Sequence, residues 1–250
     1  MIDAVRSEWR KVFATRSLVV LLVCTIACTV GLAVLVAVVV DLASLEDGAG
    51  DPRDRSVLLV GGMGIARFLL GSLGVLVIGQ EFRFSTIRVT FAAEPRRGRV
   101  LLAKGIVTAV VTALTAAISL AVAVGLGAII LGARGWPVEL ADATVLRSLA
   151  GWVVTGAVFA LAGLALGMLL RQPVGGIVVL VAWRMLVEPV IAGFFPDIGG
   201  WLPFTAGDRV LSLAGDDAAG PAGWLGFAYL CAVVTVLAGA GVRAVVRRDA

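Results

Sequence analysis

Residues 17–40 read SLVVLLVCTIACTVGLAVLVAVVV, a run that meets no charge until Asp41. A helix rises about 1.5 Å per residue, so this run is long enough to cross the roughly 30 Å of hydrocarbon in a bilayer. Its apolar core exceeds the roughly 7–15 residues of a signal-peptide core, and no small-x-small cleavage site follows. It therefore reads as a retained helix. Five comparable stretches follow: 57–79, interrupted only by Arg67; 105–131; 149–170, ending at Arg171; 174–195, containing Arg184 and Glu188; and 224–246, ending among Arg243, Arg247 and Arg248. The expected fold is an all-α polytopic membrane protein, a single domain over residues 1–250 with six transmembrane helices.

Composition agrees and removes whole chemistries. The chain is 60% hydrophobic and 15% charged, with a mean hydropathy of +1.04, whereas soluble domains carry about 45–50% apolar and about 25% charged residues. It has no His, which excludes histidine bases, Ser-His-Asp triads and His-ligated zinc or haem. Its two lysines, Lys11 and Lys104, follow Arg10 and Ala103, so the Gly-Lys-Ser/Thr of a phosphate-binding loop is missing. If ATP drives this chain, another subunit binds it. Cys24, Cys28 and Cys231 lie in apolar runs without a CxxC pair and read as small hydrophobes.

The basic residues orient the bundle. With six spans both termini share one side, which collects Arg6, Arg10, Lys11 and Arg16, then Arg83, Arg88, Arg96, Arg97, Arg99 and Lys104, then Arg171 and the three C-terminal arginines. The opposite loops hold Arg53, Arg55, Arg134, Arg147 and Arg209, together with Glu46, Asp47, Asp51, Asp54, Asp197, Asp208, Asp216 and Asp217. The positive-inside rule places both termini in the cytoplasm. The pI near 9.5 then reflects one membrane face rather than nucleic-acid binding.

Two segments are not explained by spanning. In residues 1–16, Ile2, Val5, Trp9, Val12 and Phe13 recur at helical spacing, with Asp3, Arg6, Arg10 and Lys11 on the other faces. This reads as an amphipathic helix in the membrane interface, anchored by Trp9, Phe13 and Lys11, or as a simple topology signal. The loop after span two, residues 81–99, places apolar Ile87, Val89 and Phe91 among charges. Two helical turns are expected before Pro95. That short helix lies on lipid headgroups, packs on the N-terminal helix, or docks a cytoplasmic partner.

Three stretches carry a resemblance: SEWRKVFATRS, IGQEFRFSTIRVTFAAEPRRGRVLLAKG and LPFTAGDRVL. With the six-span layout, they resemble actinobacterial permease subunits of type-2 ATP-binding-cassette exporters. The resemblance implies an interfacial N-terminal helix and a coupling helix that contacts a separate ATPase subunit, which binds ATP and Mg²⁺. This chain would bind no cofactor and have no ATPase activity of its own. It also implies two permease domains per transporter, as a homodimer or with a second permease, in the plasma membrane. The coupling role falls on Thr86, Ile87, Arg88, Phe91 and Glu94, with Glu81 and Arg83 where span two leaves the membrane. Arg67 departs from the family's pattern. The substrates so implied are amphiphilic drugs, lipids or peptides.

Arg67 is expected about 16 Å from the outer end of span two, with Arg184 at a similar distance from the inner end of span five and Glu188 one turn further out. A charge at the bilayer centre costs at least about 2.5–3.5 kcal/mol, so these three either form an ion-pair network or line a translocation path. Gly163-x-x-x-Gly167 fits close helix packing. The outer loop 196–223, with Pro196, Pro203, Pro221, Trp201, Phe204 and Trp224, is a candidate for re-entrant helices. Pro189 is the one proline well inside a span. The competing functions are an ion-coupled secondary carrier, for which no internal repeat is evident, and a membrane-embedded enzyme, for which no catalytic cluster is evident.

The topology is directly testable. Green fluorescent protein fused to the C-terminus should fluoresce, and alkaline phosphatase fused after residue 140 should be active. The reverse pattern would mean an inverted bundle.

Overall fold

The structure, a computed structural model, describes residues 1–39, 55–56, 59–60, 63–94, 96–211 and 223–248, apart from the side chains of Thr144 and Arg248. Asp41, the acids of the first outer loop, Pro95, Asp216, Asp217 and Pro221 lie outside the described residues. Helix α1 covers Ile2–Ala14, α2 Arg16–Val39, α3 Met63–Arg83 and α4 Thr86–Ala93. Helix α5 covers Arg97–Ala133 and α6 Ala143–Leu170. Helix α7, Pro173–Ala182, runs through a π-helical turn, Trp183–Val187, into α8, Glu188–Phe194. Short helices α9, Pro196–Gly199, and α10, Pro203–Asp208, lead through a 3₁₀ turn, Arg209–Leu211, towards α11, Gly223–Arg248. Among the described residues six helices are long and apolar enough to cross a membrane, the fifth being Pro173–Phe194. No strand occurs among the described residues.

Two helix edges differ usefully from the apolar runs. Helix α3 starts at Met63 rather than 57, because residues 59–60 form a turn in which the Met63 N–H donates to the Val60 carbonyl. Arg67 is thus one turn inside its helix, about 6 Å from the start, not deep within the span. Helix α5 starts at Arg97, two turns before the apolar run at 105, and its 37 residues rise about 55 Å. This exceeds the hydrocarbon thickness, and the extra turns at its start stay packed against α1 and α11. There Arg97 donates to the Val246 carbonyl of α11, and Lys104 meets Glu8 of α1. Both termini therefore lie at this end, called here the terminal end. Arg134 closes the far end by donating to the Ala37 and Val38 carbonyls, where α2 finishes.

The core is the contact between α3 and α6, and glycine makes it possible. A Cβ on Gly74 would land on the Ala160 carbonyl oxygen, and one on Gly163 on the Gly71 carbonyl oxygen. Gly167 leaves only 2.6 Å to the Ile78 side chain. Lipid tails are as apolar as leucine, so membrane helices gain little from burying apolar surface against each other. They gain by close backbone approach. Helix α2 packs through Leu18, Leu22, Thr25, Thr29, Ala33 and Ala37, a buried stripe whose residues shrink towards the far end. Six buried hydroxyls bond within their own helix, Thr25, Thr29, Thr112, Thr115, Ser119 and Thr155 each donating to the carbonyl four residues back. Ser56 and Ser148 donate instead to the Glu139 and Leu211 carbonyls, and Thr108 Oγ1 meets no partner among the described residues.

Substituting Gly74→Ala or Gly163→Ala forces backbones apart and should cost about 1–3 kcal/mol or more. Gly125→Ala, whose Cβ meets open space, should be neutral or stabilising. Thermal unfolding in detergent separates the two cases.

Candidate functional site: two buried charge clusters

Five side chains from four helices converge at the terminal end. Lys104 of α5 donates to Glu8 of α1 and, at 3.0 Å, to Glu81 Oε1 of α3. Lys11 of α1 donates to Glu8 at 2.6 Å, to Glu81 Oε1 at 3.1 Å and to Thr90 Oγ1 of α4 at 3.2 Å. Lys104 and Glu8 are only 2% and 3% exposed, an environment an ionised side chain occupies only when paired. The cluster balances two ammoniums with two carboxylates. Burial pushes the Lys11 pKa down, but the Glu8 and Glu81 carboxylates outweigh it and hold the value above its ordinary 10.5.

This geometry splits the expected α1 stripe. Val12 is buried beside Glu8, while Trp9 and Phe13 point outwards and pack ring to ring at 5.4 Å. Lys11 turns towards the cluster rather than serving only as a headgroup anchor. Helix α4 splits too. Ile87 and Phe91 are buried in a core with Val12, Leu101 and Val245, and the Arg97 guanidinium lies over the Phe91 ring at 5.4 Å. Neither Ile87 nor Phe91 is therefore free to meet a partner. Arg83, Thr86 and Arg88 are exposed and Glu94 is half-buried. Phe84 and Val89, which had no assigned role, present the largest apolar surface here at 66% and 72% exposure.

The second cluster lies towards the far end. Asp208 of α10 bridges Arg67 of α3 and Arg184 of the π turn, the latter at 2.7 Å. The Arg67 guanidinium also lies over the Trp152 ring of α6 at 4.4 Å. Arg184 and Glu188 pair along their own helix at 3.8 Å. Glu188, fully buried, accepts from the Phe204 N–H at 3.0 Å, the Thr205 N–H at 2.9 Å, the Thr205 hydroxyl at 2.9 Å and the Trp183 indole at 3.2 Å. It thereby caps α10 from another helix, satisfying amides that a helix start leaves open. Residues 196–211 thus fold back on the bundle, with Phe204, Ala206 and Val210 buried. Arg184 and Glu188 pair directly, and Arg67 joins them through Asp208, which was counted only as an outer-loop acid.

Sequence signals for the missed residues were present in part. The chain's two lysines both enter the terminal cluster. An ammonium is a compact point charge that two carboxylates can surround, unlike a planar guanidinium. Glu8 stands three residues before Lys11, on the same helix face. Asp208 lies in LPFTAGDRVL, one of the three stretches that carry the resemblance, but no local pattern named its partners.

Among the described residues no group of three or more His, Cys, Asp or Glu side chains is placed to hold a metal ion, and Cys24, Cys28 and Cys231 are free thiols. No protein-family model matches the chain, and no curated protein matches it.

Replacing Lys104 by Met leaves Glu8 and Glu81 short of a buried counter-charge and should cost about 3–5 kcal/mol, read as loss of thermal stability. Lys11 has a raised folded pKa, so its contribution is complete below its unfolded value and is lost as the pH rises through the folded one. Stability in detergent should therefore fall above about pH 10.5, and Lys11→Met should flatten that part of the profile.

Proposed function

We propose that this chain is the membrane-spanning permease subunit of an ATP-driven exporter, with both termini in the cytoplasm and α4 as the element that receives force from a separate ATPase subunit. The observation that carries this reading is how α4 is mounted. It offers Arg88 and Val89 outwards, with Phe84 exposed in the turn before it, while Ile87 and Phe91 are embedded and Thr90 is tied through Lys11 to Glu8 and Glu81. A push on α4 is therefore shared by α1, α3 and α5.

Helix α3 supplies the transmission. It carries Glu81 in the terminal cluster and Arg67 in the far one, about 21 Å apart along a continuous helix. Tilting α3 at the terminal end shifts Arg67 relative to Asp208, whose helix belongs to the folded-back segment. Contact with the ATPase in one nucleotide state then biases a two-state latch at the opposite end, as alternating access requires. ATP and Mg²⁺ bind the ATPase, and two permease chains complete the path in the plasma membrane. An apolar groove of about 600 Å³ between α5, α6 and α11 suits an amphiphilic substrate such as a drug, lipid or lipopeptide. In each cluster cations and anions balance, which supports a latch over the titrating relay of an ion-coupled carrier.

The chain purified from its native membranes should bring ATP hydrolysis with it. Val89→Asp or Arg88→Glu, at exposed positions that leave the fold's stability unchanged, should abolish the retained hydrolysis. Hydrolysis that co-purifies equally with these variants would overturn the role of α4, and none with the unaltered chain would overturn export.

A further inference from the structure

The charges of the far cluster balance, but its hydrogen bonds do not. Glu188 is saturated: Oε1 accepts from the Trp183 indole and the Phe204 N–H, and Oε2 from the Thr205 N–H and hydroxyl. Two donors on each oxygen fill a carboxylate's lone pairs, so Arg184 faces it at 3.8 Å without a hydrogen bond. Asp208 therefore serves two guanidiniums alone, Oδ1 accepting from Arg67 and Oδ2 from Arg184. A guanidinium carries about five N–H donors. Each arginine places a single hydrogen bond among the described residues, and its remaining N–H groups are open.

These open donors are reached from outside. The Arg67 and Arg184 side chains are 11% and 24% exposed and Asp208 is 20% exposed, and no side-chain nitrogen of either arginine is buried without a partner. Their depth makes that exposure costly. Residues 173–183 of the fifth span precede Arg184 and 185–194 follow it, about 15 Å of helix on either side. At such a level an arginine is stable against protein, water or an anion, not against hydrocarbon. Its immediate neighbours Met185 and Leu186 are largely exposed, so the surface beside it is apolar.

We propose that Arg67 and Arg184 form an anion site which Asp208 fills as an internal stand-in, and that its ligand is an amphiphile whose phosphate group takes the place of Asp208. Two guanidinium forks on different helices suit an anion that accepts from both at once. A terminal phosphate offers three oxygens where Asp208 offers two, so the open N–H groups gain acceptors. The alkyl part lies outwards beside Met185 and Leu186. Displacing Asp208 frees the end of α10 while Glu188 still caps its start, so the folded-back segment loosens at one end only. The site rests on the chain lying in a bilayer and not on ATP-driven export, because no ATPase takes part in it.

Isothermal titration of hexyl phosphate into the purified full chain in dodecyl maltoside tests the site. Hexyl phosphate should bind saturably, and both inorganic phosphate and hexyltrimethylammonium should bind more weakly. Arg67→Gln and Arg184→Gln each leave Asp208 paired with the other arginine, and each should weaken binding about tenfold or more, the worth of a hydrogen bond to a charged group. Asp208→Asn removes the competing carboxylate and should tighten binding by a similar factor, with hexyl phosphate raising the melting temperature of this variant more than that of the unaltered chain. The arginine variants decide alone if Asp208→Asn fails to fold. No saturable binding to the unaltered chain, unchanged binding in both arginine variants, inorganic phosphate binding as tightly as hexyl phosphate, or no tightening in folded Asp208→Asn would each overturn the proposal.

Discussion

The requirement that a charge removed from water find its counter-charge governs how this bundle is put together. Lys104 is the sharpest case, an ammonium 2% exposed in the wall of a helix bundle. The desolvation cost of such an ion is several kcal/mol, offset only by well-placed partners. One partner, Glu8, lies on α1, a helix that by its apolar stripe alone would be free to lie anywhere along the membrane surface. The pairing fixes α1 against α3 and α5 instead. Through Lys11 and Thr90 it fixes α4 as well. The ion pairs contribute specificity of docking more than net stability, since apolar packing of equal volume would stabilise as much.

Helix α3 unites this arrangement with the rest of the molecule. Its two clusters lie at opposite ends, and between them it is locked to α6 by close backbone approach and by side chains seated in glycine notches: Gly74 meets the Ala160 carbonyl and Gly163 the Gly71 carbonyl, while Phe159 packs on Gly71, Leu70 on Gly156 and Ile78 on Gly167. Interlocked side chains resist displacement through the rotamers they would have to change. The two clusters are thus held at a fixed separation by one well-packed helix.

The chain's apolar runs made the helices legible to within about two turns, because a span is set by hydrocarbon thickness and little else. The Arg184–Glu188 spacing and Gly163-x-x-x-Gly167 were legible for the same reason, being local. The failures share a cause too. Counting apolar faces on α1 left its charges to solvent, which hid Glu8 and put Val12 on one stripe with Trp9 and Phe13. Arg67 looked deep because the apolar run begins before the helix does. Helix α4 shows the limit most clearly: Ile87, Val89 and Phe91 are equally apolar in sequence, yet two are buried and one is exposed, a choice made by the helices beneath them. Asp208 is paired by residues 141 and 24 positions away, a separation no local pattern encodes.

The π turn in the fifth span has a consequence in rotational register. Pro189 cannot donate to the carbonyl four residues back, and its ring crowds that carbonyl. The wider turn beforehand, in which the Glu188 N–H donates to the Trp183 carbonyl, relieves that crowding and takes up one extra residue. In an unbroken α-helix Glu188 would stand about 80° around the axis from Leu180, on the shoulder of the buried face. With one residue absorbed it returns to within about 20° of Leu180, which is itself buried. The axis continues, but everything beyond residue 187 is turned by about 100° relative to the helix before it. A single-residue deletion there would remove the π turn yet leave Glu188 within about 20° of Leu180, whereas a single-residue insertion would keep the span's hydropathy and helical character almost unchanged while swinging Glu188 out of that phase and uncapping α10. For this segment, phase around the axis is a more stringent constraint on the sequence than hydrophobicity along it.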